Sequence, residues 1–248
     1  MKNKVAIITG GTGGIGTAIS QELCSLGAKV IATYNRGGNH ESARSWQIEQ
    51  RHHGFDIAIE YVDVTSFEAC EKMIEKIESE HGRIDILVNN AGITRDVLLN
   101  KMTVEQWHEV LTTNLDSIFN VTRHVINGMI NRQYGRIINI SSINGQKGQK
   151  GQANYAASKA GIHGFTKSLA QEVAGKGVTV NTISPGYIET EMVMAVPEPI
   201  REKIIAQIPV GRLGHPTEIA RVVVFLASEN SGFITGSNLT VNGGQYLI

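Results

Sequence analysis

Tyr155 and Lys159 stand four residues apart in YAASK (155–159), and a serine pair, Ser141 and Ser142, precedes them. On an α-helix, residues at that spacing share a face, so the phenol and the ammonium would stand one above the other. Such a pair suits proton donation to an oxygen, because a nearby ammonium favours tyrosinate and pulls a phenol down from its ordinary value near 10. Ser142 would donate to the same oxygen and hold it beside the phenol. The chemistry that fits is hydride transfer to a ketone, whose alkoxide then needs a proton, and the same ammonium could bond a nicotinamide ribose. No metal is required, and Cys24, Cys70 and eight scattered histidines match no metal-ligand spacing.

A hydride needs a bound carrier, and the first loop offers a place for one. VAIITGGTGGIGTAIS (5–20) passes directly from an apolar run into helical spacing. Its glycines read in two registers, Gly11-x-Gly13-x-x-Gly16 or Thr9-Gly10-x-x-x-Gly14-x-Gly16. Either puts bare backbone at a helix N-terminus, where free N–H groups and the helix dipole favour a pyrophosphate. An NAD site sets an acid about 20 residues further on, to bond the ribose hydroxyls. Here the second run ends Ala32-Thr33-Tyr34-Asn35-Arg36, with no acid before Glu41. The planar guanidinium of Arg36 instead suits a 2′-phosphate and argues for NADP.

Apolar, β-branched runs recur at 4–9, 28–34, 56–62, 84–89, 135–141, 177–184 and 238–242, and longer stretches with helical spacing lie between them. Strand alternating with helix predicts an α/β fold, a Rossmann-type doubly wound parallel sheet with helices on both faces. No linker, repeat or charge block divides the chain, which reads as a single domain over 1–248. The strand at 135–141 would deliver Ser142, and the helix after it Tyr155, to one cleft at the carboxyl edge of the sheet, where ligands bind in such folds. Lys plus Arg and Asp plus Glu both number 23, so no net charge favours nucleic acid or a membrane surface as partner. The opening run VAII is too short for a signal peptide or a membrane span, and a cytoplasmic protein is expected.

TGGTGGIG (9–16), Asp63, NNAG (89–92), Asn114, Ser142, YAASK (155–159) and SPGYIET (184–190) resemble, in order and across the chain, the short-chain dehydrogenase/reductase family. The resemblance implies catalytic roles for Asn114, Ser142, Tyr155 and Lys159, with Asn114 holding a relay water through its backbone. It implies an NADP(H) site built from Gly10, Thr12, Gly13, Gly14, Ile15, Gly16, Asn35, Arg36, Asp63, Val64, Asn89, Ala91, Gly92, Tyr155, Lys159, Pro185, Gly186, Ile188 and Thr190. Gly11, Thr12 and Gly13 fill loop positions that are often basic in the family's NADP enzymes, so the NADP preference rests on Arg36.

Within the family, NNAGITRDV (89–97), SSINGQKGQ (141–149) and the run 160–190 resemble the branch that reduces acetoacetyl-CoA for polyhydroxybutyrate synthesis. That implies an acyl thioester substrate met by Ser142, Gln149, Lys150, Gln152 and Tyr187, with Lys150 standing where an aromatic is usual. Reduction of a 3-oxoacyl group on acyl carrier protein is the neighbouring alternative, with Arg95, Lys101 and Arg132 as candidates for its docking patch, and a catalytically silent dinucleotide sensor is a third. The run GQKGQKGQ (145–152) is expected to be a mobile loop, and 191–214 a helical lid or a static surface helix. Helices over 104–130 and 152–175 carry apolar residues around much of their circumference, as subunit contacts require, and the resemblance implies a homotetramer.

Overall fold

Each of the seven apolar runs forms a strand: β1 (Val5–Ile8), β2 (Lys29–Tyr34), β3 (Ala58–Tyr61), β4 (Ile86–Asn89), β5 (Gly135–Ile140), β6 (Val178–Pro185) and β7 (Asn238–Val241). In this computed structural model, which describes residues 1–247 apart from the side chains of Arg36 and Met192, the strands form one sheet in the order β3-β2-β1-β4-β5-β6-β7. Every neighbouring pair is parallel. Side chains alternate along a strand, so Ile7 and Ile8 enter different cores. Ile8 and Val30 pack with Ile19, Trp46 and Val223 on one face, whereas Ile7 and Leu87 pack with Ile74, Val121 and Val125 on the other. The first face is covered by α1 (Gly14–Ser25), α2 (His40–His52) and α10 (Pro216–Ala227), and the second by α3 (Phe67–His81), α5 (Ser117–Asn131) and α7 (Ala153–Val173). The fold is therefore a single-domain Rossmann-type α/β sandwich.

From β1 the chain builds outward through β2 and β3, then returns to lay β4 on the other side of β1. Connections leave in opposite directions there, which opens a crevice at the carboxyl ends of the strands. Two stretches differ from expectation. The helix expected over 104–130 is α4 (Val104–Leu111), a π-helical turn at Thr112–Asp116, and α5. The 145–152 loop begins inside a short helix, α6 (Asn144–Lys147), which packs flush on α7: a Cβ on Gly145 would lie 2.7 Å from the Lys159 carbonyl carbon. The 191–214 segment holds α8 (Glu191–Met194) and α9 (Glu198–Ile205), and its base is closed by Glu189 N–H to the Gly214 carbonyl (2.8 Å) and Gly214 N–H to the Tyr187 carbonyl (3.0 Å).

Candidate active site

The crevice at the carboxyl edge is a cleft of ≈ 920 Å³. Its floor is the loop between β1 and α1. Gly13 caps α1 with no side-chain hydrogen bond, and no acid lies in the first turn, so the orphan N–H groups there stay available to an anion. Gly16 is required for packing, since a Cβ would collide with the Gly10 carbonyl. The hydroxyl of Thr9 accepts from the backbone N–H groups of Asn90 (2.9 Å) and Ala91 (3.0 Å), and the Asn90 amide donates to the carbonyls of Thr9 and Gly10. Those bonds fasten the glycine loop to the turn after β4.

The lining brings together Gly10, Thr12, Gly13, Gly14, Ile15, Gly16, Asn35, Asp63, Val64, Ala91, Gly92, Ser142, Tyr155, Lys159, Pro185, Gly186, Ile188 and Thr190. Asn89 is not among them. Its side chain turns into the core and donates to Thr122 (3.2 Å) and Asn139 (2.8 Å), and Asn90 takes the cleft position, because consecutive residues leaving a strand point opposite ways. The Arg36 side chain lies outside the described residues. Asp63 spends one carboxylate oxygen on Thr65, from its N–H (3.0 Å) and its hydroxyl (2.7 Å).

β5 and α7 converge on the cleft as their sequences require. Lys159 is fully enclosed and donates to the Ile140 carbonyl at 2.8 Å, with two further N–H bonds to give. Burial brings its ammonium down to about 8. Tyr155, half-buried beneath it, was expected to be depressed by this ammonium, and the structure reverses that expectation. Burial raises the phenol above its ordinary value, a hydrogen bond with Ser142 pulls the other way, and the charge of Asp96 adds to the rise. Lys159 Nζ stands 5.7 Å from the ring centroid and is itself short of solvent, so its pull does not match the cost of desolvating a phenolate. Asn114 lies in the π-helical turn, fully buried, where the i→i+4 ladder is broken. Its carboxamide is spent on the Ile93 backbone, accepting at 2.8 Å and donating at 3.0 Å, and on Ser158 (3.2 Å).

Beside this group runs a chain of hydrogen bonds that the sequence did not announce. Gln152 donates to Asp96 (2.7 Å) and accepts from Asn144 (2.8 Å). The backbone N–H of Asn144 in turn donates to the Ser142 hydroxyl (3.1 Å), and its side chain meets Tyr187. An ionised carboxylate only accepts, so Asp96 sets the orientation of Gln152, and Gln152 that of Asn144. Asn144 Oδ1 is left buried without a partner. Gln149 and Lys150 are exposed on the adjoining turn. Of the three basic residues considered for docking, Arg95 lines the cleft in a pair with Glu109, whereas Arg132 donates to the Ile84 carbonyl (2.7 Å) at the opposite edge of the sheet. Arg95 and Arg132 do not share one patch.

The lining fits a nicotinamide dinucleotide: an uncapped helix start for its pyrophosphate, and a buried ammonium with N–H bonds to spare for a ribose. A family model described as enoyl-(acyl carrier protein) reductase matches residues 10–245. The chain belongs to the short-chain dehydrogenase/reductase family. Like other short-chain reductases it uses a nicotinamide dinucleotide. Among its relatives, an acetoacetyl-CoA reductase of Shinella zoogloeoides is 57% identical over 99% of this chain and 100% of its own. That of Cupriavidus necator is 52% identical over 100% of both. A 3-oxoacyl-[acyl-carrier-protein] reductase of Vibrio cholerae is 48% identical over 100% of this chain and 99% of its own. Among the described residues, no helix of this short-chain reductase is long and apolar enough to cross a membrane, and no three His, Cys, Asp or Glu side chains cluster as metal ligands would.

Proposed function

We propose that the protein reduces acetoacetyl-CoA to (R)-3-hydroxybutyryl-CoA with NADPH. The observation that carries this reading is the convergence of Ser142, Tyr155 and Lys159 on one cleft beside an uncapped glycine-rich helix start. Acetoacetyl-CoA reductases of matching length among the relatives support the choice of substrate.

When bound, the reduced nicotinamide supplies the hydride that reaches the ketone carbon. Tyr155 gives its proton to the ketone oxygen as charge develops there, and its raised phenol keeps that proton until the transfer. Ser142 donates to the same oxygen, with its own oxygen steadied by the Asn144 N–H. Lys159 bonds the nearer ribose and offsets the charge left on Tyr155, and Asn114 shapes the turn whose backbone holds a relay water. Gln149, Lys150, Gln152 and Tyr187 border the acyl path, and the Asp96 chain orders the second pair. Asn35 and Arg36 receive the 2′-phosphate that separates NADP from NAD. Residues 191–214 act as a lid swinging on the Ile188–Gly214 bridge. The enzyme works in the cytoplasm, in polyhydroxybutyrate synthesis, as a homotetramer whose subunits meet on α4, α5 and α7; Val104 on α4 and Phe119 on α5 are exposed.

The decisive test measures NADPH consumption side by side with acetoacetyl-CoA and acetoacetyl-[acyl carrier protein]. The reading expects kcat/KM at least ~10-fold higher for the CoA thioester, a difference of about 1.4 kcal/mol. Faster turnover of the carrier-protein thioester would assign the chain to fatty-acid elongation instead.

A further inference from the structure

We propose that His163 is a positioning residue for the reduction, holding through Ser184 the strand end that sets Ser142 against Tyr155. The inference rests on the reading in which Ser142 and Tyr155 meet one ketone oxygen, and it names two residues that do not line the cleft.

His163 follows Lys159 by four residues and Tyr155 by eight, so α7 presents all three along one face. Tyr155 and Lys159 line the cleft, and His163 lies one turn beyond it. Its Nε2 meets the Ser184 hydroxyl at 3.3 Å, and that hydroxyl donates to Asn238 Oδ1 at 2.8 Å. Ser184 is fully buried, so α7, β6 and β7 are joined at one enclosed oxygen. A hydroxyl has a single proton, and Ser184 spends it on Asn238, so His163 supplies the other bond as an Nε2–H donor. Burial, with the Lys167 charge one turn on adding to it, holds the imidazole below its ordinary value of 6.5 and keeps the ring neutral at pH 7.

The place of Ser184 in β6 gives this junction its reach. The carbonyl before it, on Ile183, accepts the Ser141 N–H at 2.8 Å, and the carbonyl after it, on Pro185, accepts the Ile143 N–H at 2.8 Å. Those two bonds grip the residues on either side of Ser142. On the near side Ser141 is also tied to α7, its hydroxyl donating to the Lys159 carbonyl (2.8 Å), whereas Ile143 on the far side reaches β6 through Pro185. Tyr155 takes its place from α7, so fixing the end of β6 against α7 fixes the serine hydroxyl against the phenol. A side chain at 163 that cannot donate leaves the buried Ser184 oxygen short of a partner and lets the strand end drift, and a small misplacement at a reacting centre is costly in rate. The hydrogen bond with Ser142 lowers the Tyr155 phenol against its burial, so the same drift raises it.

Steady-state kinetics on the intact protein tests this in both directions, acetoacetyl-CoA with NADPH and (R)-3-hydroxybutyryl-CoA with NADP+, beside thermal melts. His163→Leu and Ser184→Ala should each lower kcat roughly 10-fold, the worth of one buried hydrogen bond, and the double variant no further, because both break one link. His163→Gln, whose amide N–H reaches the position of Nε2, should restore most of the rate. Thr182 still ties β6 to α7 through Thr166 at 2.8 Å, so the variants should melt as folded proteins. In the oxidation direction Tyr155 accepts the proton, so the pH of half-maximal kcat should move up in His163→Leu and Ser184→Ala and stay in place in His163→Gln. Wild-type kcat in His163→Leu, a lost rate with an unmoved pH profile, or additive losses in the double variant overturns the assignment alone. A wild type that leaves acetoacetyl-CoA unreduced, or Ser142→Ala at wild-type kcat, overturns the reading of the site and the assignment with it.

Discussion

Replacing Lys159 with methionine removes a buried charge and keeps a side chain of similar length, so it separates what the ammonium costs the fold from what it does in the site. The unfolded chain holds the proton up to an ordinary value of 10.5, but the fold only to about 8. At 1.36 kcal/mol for each tenfold change in proton affinity, carrying the charge costs the cofactor-free fold roughly 3 kcal/mol below pH 8. Methionine leaves the Ile140 carbonyl without its donor, at about 1–2 kcal/mol, so Lys159→Met should gain about 1–2 kcal/mol of stability at pH 7. Between pH 8 and 10.5 the unfolded wild type binds more protons than the folded protein, and its stability rises with pH. The variant lacks that rise, and its advantage should vanish or reverse by pH 10. Urea melts of both proteins without cofactor, at one protomer concentration from pH 6.5 to 10, measure the difference. A difference that stays flat across that range would refute the desolvation argument.

Tyr155→Phe should leave NADPH binding nearly intact and lower kcat by at least ~100-fold, as loss of a positioned proton donor does; steady-state kinetics beside a cofactor titration decides, and turnover within a few-fold of wild type would remove Tyr155 from the role. Gln152→Ala breaks both links of the Asp96–Gln152–Asn144 chain, so KM for acetoacetyl-CoA should rise roughly 10-fold with NADPH affinity unchanged. A variant that weakens only NADPH would take Gln152 off the acyl path.

The seven strands, the glycine loop and the 155–159 pair could all be read along the chain because each depends on neighbours close in sequence. Alternation of side chains marks a strand, a run of missing Cβ atoms marks a close approach, and a spacing of four places two groups on one helix face. The winding of the sheet followed from strand alternating with helix. What the chain did not disclose depends on residues far apart in it. Asp96 reaches Gln152 across 56 positions, and nothing in the sequence around either one announces the other. Whether Asn89 or Asn90 faces the cleft turned on where β4 ends, a difference of one residue that flips the side chain. Arg95 and Arg132 carry the same charge, and only the path of α5 sends the second to the far edge of the sheet. The direction of Tyr155 was misjudged for the same reason. A partner four residues away is visible in sequence, but the dielectric around a phenol belongs to everything packed against it, and in this fold that packing outweighs the neighbouring ammonium.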